Sequence, residues 1–251
     1  MNLMPKQDST RCVHCGEPVA EATRDHVFPD SWYPETTPEE IQRWTAPSCG
    51  VCNNKLGSME KKVFSRLALC VDPRKAEAAG LSAKVMRSLG IGVEGLSAKE
   101  AEHRQKQKLG IIGAIKPHCV GTATLPGLGP HPEFVESEQS RIAIPADLLH
   151  EVAKKIVRGC EYVLAGRIVE NPYDIGIYFV HEREVPVQLV RAFRGPSAST
   201  THLGPGFSVA RVAANDEPNA VVYKIIVWGS LVIHAAILAQ ADLEDTEVAI
   251  P

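Results

Sequence analysis

No stretch at the start of the chain reads as a secretory leader: Met1 to Thr10 contains no apolar run of the kind a signal peptide needs. Internal repeats and low-complexity tracts are also missing, so neither a repeat array nor a wholly disordered chain is expected. There is no global excess of basic residues: 27 Lys and Arg stand against 30 Asp and Glu, a formal net charge of −3. That balance excludes a polyanion-binding protein saturated with positive charge, but it leaves room for a local basic face. Long hydrophobic runs are scarce. The one candidate, Val221 to Ala239, carries Lys224, His234 and a Gly229-Ser230 break. A charge near the centre of a membrane span costs roughly 2.5–3.5 kcal/mol. Two buried strands account for the run better, and no membrane association is expected.

What is present fits a globular protein. The chain has 251 residues, 44% apolar and 23% charged, enough to bury a sizeable core as one large domain or as a small module plus a larger one. Charge is distributed unevenly. From Lys61 to Gly110 eleven basic residues face five acidic ones, whereas from Thr201 to Pro251 two face six. One end could therefore meet phosphates, or both could simply be solvated helix faces. Of the seven cysteines, four lie in Cys-x2-Cys pairs, which suggests metal binding before disulfides and places the protein in a reducing cytoplasm. Cys70, Cys119 and Cys160 sit in apolar surroundings and read as small core residues.

An α+β fold is expected. Val19 to Phe28 has room for a short strand ended by Pro29. Residues 30–47 read as a loop with a helical turn near Glu39–Arg43, and with Trp32 and Trp44 covering a small local core. A helix should begin near Cys49 to Asn53 and continue through Met59, Val63, Leu67 and Cys70 until Val71-Asp72-Pro73 stops it. Residues 74–90 and 97–109 suggest two further helices, the second opened by the capping-box form Ser97-Ala98-Lys99-Glu100. Glycines and prolines between Gly110 and Pro132 suggest loops with one strand. Ala146 to Ala165 reads as an amphipathic helix. Strands are expected at Ile175–Val180, Val185–Phe193, Phe207–Ala213, Val221–Trp228 and Leu231–Leu238, forming an antiparallel sheet on which that helix packs. The expected organisation is a module at 10–70, a basic helical connector at 71–110 and an α+β domain of unassigned role at 111–251.

The chemistry concentrates near the start. Cys12-Val13-His14-Cys15 and Cys49-Gly50-Val51-Cys52 are separated by 33 residues and can give four thiolates to one tetrahedral Zn2+. Such a closed site has no open position for water, so the zinc is structural. His14 is an alternative ligand that four cysteines make unnecessary. Between the pairs lies Asp25-His26, and Asn53 follows the last cysteine directly. Closing the zinc site fixes the helix start against the strand, which can bring Asn53 opposite Asp25 and His26. A carboxylate and an amide carbonyl are hard oxygen ligands suited to Mg2+ or Mn2+. A histidine kept off the metal can take a proton from water.

This combination, with the tail Cys52-Asn53-Asn54-Lys55-Leu56-Gly57, resembles the HNH endonucleases with a ββα-metal fold, especially the zinc-stapled, endonuclease VII-like branch. The resemblance covers residues 10–68. It implies that Asp25 and Asn53 hold a divalent metal, that His26 is the general base, and that the reaction is hydrolysis of DNA phosphodiester bonds, with RNA as the alternative polymer. Lys55, Lys61, Lys62 and Arg66 are then candidates for contacting phosphates, and Glu60 for supporting the metal indirectly, although each equally suits a solvated helix face. One position departs from the family: its middle asparagine, which orients the catalytic histidine, is replaced in the stretch Arg43-Trp44-Thr45-Ala46-Pro47, where Thr45 is a partial substitute. That departure favours the competing reading, a catalytically inactive zinc module that binds nucleic acid or protein. A homodimer would suit cleavage of both strands.

Overall fold

The computed structural model describes residues 10–91, 94–117, 119, 124–135, 138–214 and 216–241. The opening residues 1–10 read in the sequence as a loose tail, and apart from Thr10 they lie outside the described residues. The chain opens with a tight turn closed by the bridge Arg11↔Pro18. Strands β1 (Thr23–His26) and β2 (Thr45–Ser48) then form an antiparallel hairpin, followed at once by helix α1 (Gly50–Leu67). β2 occupies a stretch that reads as loop because of Pro47. In a two-stranded ribbon, proline costs no interior ladder bond, and its carbonyl instead accepts Val13 N at 2.9 Å. The expected helical turn at Glu39–Arg43 is a 3-10 turn earlier, at Asp30–Trp32.

Two helices follow, α2 (Leu81–Ser88) and α3 (Ala98–Ala114), the latter with both halves of its capping box formed by Ser97 and Glu100. A small ladder joins β3 (Ile115–Pro117) to β4 (Ser140–Ile142). Helix α4 (Ala146–Ala165) comes next, ended by Gly166 in the left-handed conformation. Beyond it, β5 (Tyr173–Tyr178), β6 (Ser199–His202), β7 (Ser208–Ala213), β8 (Val221–Val227) and β9 (Leu231–Ala239) form a five-stranded antiparallel sheet in the order β5-β9-β8-β7-β6.

Between β5 and β6 lies the main departure from expectation: Val185–Phe193 is not a strand but contains helix α5 (Val187–Arg194). Pro186 caps it, Val190 and Phe193 recur at helical spacing, and Arg191 and Arg194 sit in the last turn, where the helix dipole favours cations. The sheet's two edge strands are β5 and β6. Cys160 is buried as expected, but Cys70 is only half-buried and Cys119 is exposed.

One continuous core runs from Val27 to Ile237. Phe28, Trp32, Tyr33 and Phe64 from the hairpin–helix region meet Phe207 and Trp228 from the sheet. The Trp32 and Trp228 rings lie 5.2 Å apart, and Trp228 Nε1 donates to Trp32 O at 2.6 Å. Trp32 thus belongs to the shared core, not to a small local one. No helix among the described residues is long and apolar enough to cross a membrane.

Candidate metal centre and the Asp25 network

The first Cys-x2-Cys pair sits in the opening turn, where Gly16 N donates to Cys12 O and Cys12 N to Glu17 O. Gly16 adopts a positive φ of 75°, a conformation that glycine takes without a side-chain penalty. The second pair opens α1: Cys49 is the N-cap residue, and its sulfur accepts Cys52 N at 3.4 Å. All four sulfurs, of Cys12, Cys15, Cys49 and Cys52, lie within 4.8 Å of one another. A tetrahedral site with Zn–S bonds of about 2.3 Å needs sulfurs roughly 3.8 Å apart, so the cluster could hold one zinc ion. Its electrostatics suit a cation. Burial opposes ionisation of Cys12, but the amides of Cys49, Cys15 and His14 outweigh it and bring that thiol down to about 6. Burial and the neighbouring sulfurs push Cys52 the other way, well above the ordinary thiol value. Four crowded sulfurs can all ionise only with a metal between them.

Strand alternation places Thr23 and Asp25 on the face of β1 that meets α1. Asn53 Nδ2 donates to Thr23 Oγ1 at 3.0 Å, so Asn53 stands on the same side of the hairpin as Asp25. With its amide nitrogen engaged, its carbonyl oxygen is the atom left to accept. Asp25 itself is 7% exposed and already engaged at both oxygens. His14 Nε2 lies 2.7 Å from Oδ2, and Lys155 Nζ lies 3.2 Å from Oδ1. Lys155, 1% exposed, also pairs with Glu60 Oε1 at 2.7 Å and donates to the carbonyls of His26 and Val27. The result is an all-oxygen cage around an ammonium at the seam between the hairpin, α1 and α4. Burial would raise the Asp25 carboxyl; the His14 bond and the Lys155 charge outweigh it and hold it below the usual carboxylate range.

His26 ends β1 directly across from Thr45. Its Nδ1 is buried without a hydrogen-bond partner, so Thr45 does not anchor the ring. Burial, then the charges of Lys155 and Arg43, lowers its pKa and favours neutral imidazole.

With roughly 100° of rotation per residue, α1 turns Asn53 and Glu60 toward the hairpin and Lys55, Lys62 and Arg66 to the opposite side, with Lys61 between. The three lysines are exposed, while Arg66 is half-buried with Nη1 on Lys62 O at 2.9 Å. Two members of the network have little signature in the sequence. His14 lies inside a cysteine motif that draws attention elsewhere. Lys155 falls on an amphipathic helix where a lysine reads as solvated. The usable signal was Gly159, on the apolar side of α4: a Cβ there would stand 2.7 Å from Val27 Cγ2, so glycine lets the helix approach the hairpin closely.

Comparison of the chain with protein-family models, with curated proteins and with solved structures returns no match.

Proposed function

We propose that the protein is an HNH-type, metal-dependent endonuclease acting on DNA. The observation that carries the reading is the placement of Asp25 and Asn53 on one side of a hairpin–helix unit built around the cysteine cluster, with His26 adjacent in sequence. Zinc at Cys12, Cys15, Cys49 and Cys52 would fix where α1 starts. Asp25 and the Asn53 carbonyl are the hard oxygen donors that would hold Mg2+ or Mn2+. An ionised carboxylate offers about four lone-pair sites, so the contacts from His14 and Lys155 leave capacity for another cation. A bound divalent ion would supply Lewis-acid stabilisation of the phosphate in the transition state. His26, held neutral by burial and by Lys155, would accept a proton from water. Lys61, beside the hairpin-facing side of α1, and Lys55, Lys62 and Arg66 on its outer side would meet the sugar–phosphate backbone of a strand wrapping the helix.

Two observations favour a second reading, a zinc module that binds nucleic acid or protein without cutting. Lys155 already compensates Asp25 and Glu60, and His26 Nδ1 has no group to orient it. Supercoiled plasmid incubated with the purified, zinc-loaded chain and Mg2+ or Mn2+ separates the two. The nuclease reading expects nicking that falls at least about a hundredfold in His26→Ala, the lower end of the range for one general base. Absent nicking, or nicking unchanged in that variant, would overturn it in favour of the binding module.

A further inference from the structure

The five-stranded sheet has two unlike faces. Along β8, Val221, Tyr223, Ile225 and Val227 are buried in the core, and Val222, Lys224 and Ile226 are half-buried on the other side. That second face is roofed by α5, none of whose residues is fully buried. A helix held off a sheet in this way leaves space beneath it, and the space is a cavity of about 220 Å³.

Its floor is a single row across four strands. Thr200 pairs with Ala210, Ala210 with Lys224, and Lys224 with His234. Ser208 and Ile226 lie one same-face step away, and Val190 and Phe193 come down from α5. His234 is 6% exposed and its Nδ1 has no hydrogen-bond partner, a costly state for a buried polar atom unless something fills the cavity. Burial and the Lys224 charge bring its pKa to about 4, so at neutral pH it is an uncharged imidazole. Lys224 forms no ion pair among the described residues, and neither does Arg194 at the rim. Against these two cations the lining offers one carboxylate, Glu182.

We propose that this cavity binds a small organic anion, its acidic head taken by Lys224, Arg194 and His234 and its apolar body set against Val190, Phe193 and Ile226. The site lies in the C-terminal sheet, involves none of the cysteine cluster or the Asp25 network, and stands or falls independently of the nuclease reading. A ring-sized acid matches both the volume and the pairing of charge with an apolar wall.

The test uses the full zinc-loaded chain with three probes: benzoate, phenyl phosphate and neutral benzyl alcohol. Nuclear magnetic resonance of the histidine side chains follows His234, assigned by its loss in His234→Gln. Saturable shifts of that imidazole with benzoate or phenyl phosphate, weakened about tenfold or more in Lys224→Gln, support the site, and whichever of the two binds more tightly tells a carboxylate head from a phosphate one. Arg194→Gln, at an exposed position, repeats the measurement if Lys224→Gln does not fold. Equal binding of benzyl alcohol, no response to either acid, or affinity unchanged in the charge variants would overturn the proposal.

Discussion

Glu161 carries a full charge with none of its side chain exposed. It is held by Arg167 Nε at 2.8 Å, by Arg211 at 3.0 Å through two nitrogens, and by the Tyr223 hydroxyl. Burial would raise its carboxyl; the bonds from Arg211 and Tyr223 outweigh burial and lower it from the ordinary 4.5. Unfolding therefore takes up a proton in acid, and the stability Glu161 contributes is complete above pH 4.5 and is lost as the pH falls below that value toward the lowered folded pKa. Glu161→Gln should lower the melting temperature at neutral pH and flatten the decline as the pH falls below the ordinary carboxyl value of 4.5; parallel acid limbs in wild type and variant would count against this. Side chains of this kind were the least legible in the sequence. Glu161 meets Arg211 fifty positions on, and Asp25 meets Lys155 across 130, distances over which no local pattern operates. The four-cysteine cluster was readable because two short Cys-x2-Cys pairs are themselves the constraint that gathers their sulfurs.

At the scale of elements, the seam between α4 and the hairpin depends on Gly159. Its backbone approach to Val27 sets how far Lys155 must reach to the carbonyls of His26 and Val27. Gly159→Ala should cost about 1–3 kcal/mol through overpacking, despite alanine's better helix propensity. The double variant with Val27→Ala should recover part of that loss, because the added and removed methyl groups compete for one space. Urea denaturation of the two single variants and the double gives the coupling; strict additivity would show that the contact is not limiting. Elements whose own sequence closes the argument were readable, such as α4, β7, β8 and β9, which fall within a few residues of expectation. β2 was hidden by Pro47, and α5 by its β-branched residues. In each, tertiary position overrode propensity: β2 needs only one partner, and the sheet already has five strands.

For the whole molecule, the continuous core ties the cysteine cluster to the sheet. Removing zinc with a chelator, or in Cys49→Ser, should lose one zinc per chain and lower the stability of the entire structure. Far-ultraviolet dichroism and tryptophan fluorescence should follow one coincident transition, since Trp32 and Trp228 report from both sides of the same contact. Two separate transitions would mean that the parts fold apart. That contact also bears on portability. Cut out at residue 70, the hairpin and α1 would present Phe28, Trp32, Tyr33 and Phe64 to water, and a fragment with so large a sticky surface would clump before it could work. The unit at the start of this chain is therefore not a cassette to be grafted elsewhere; it travels only with the sheet that shelters it.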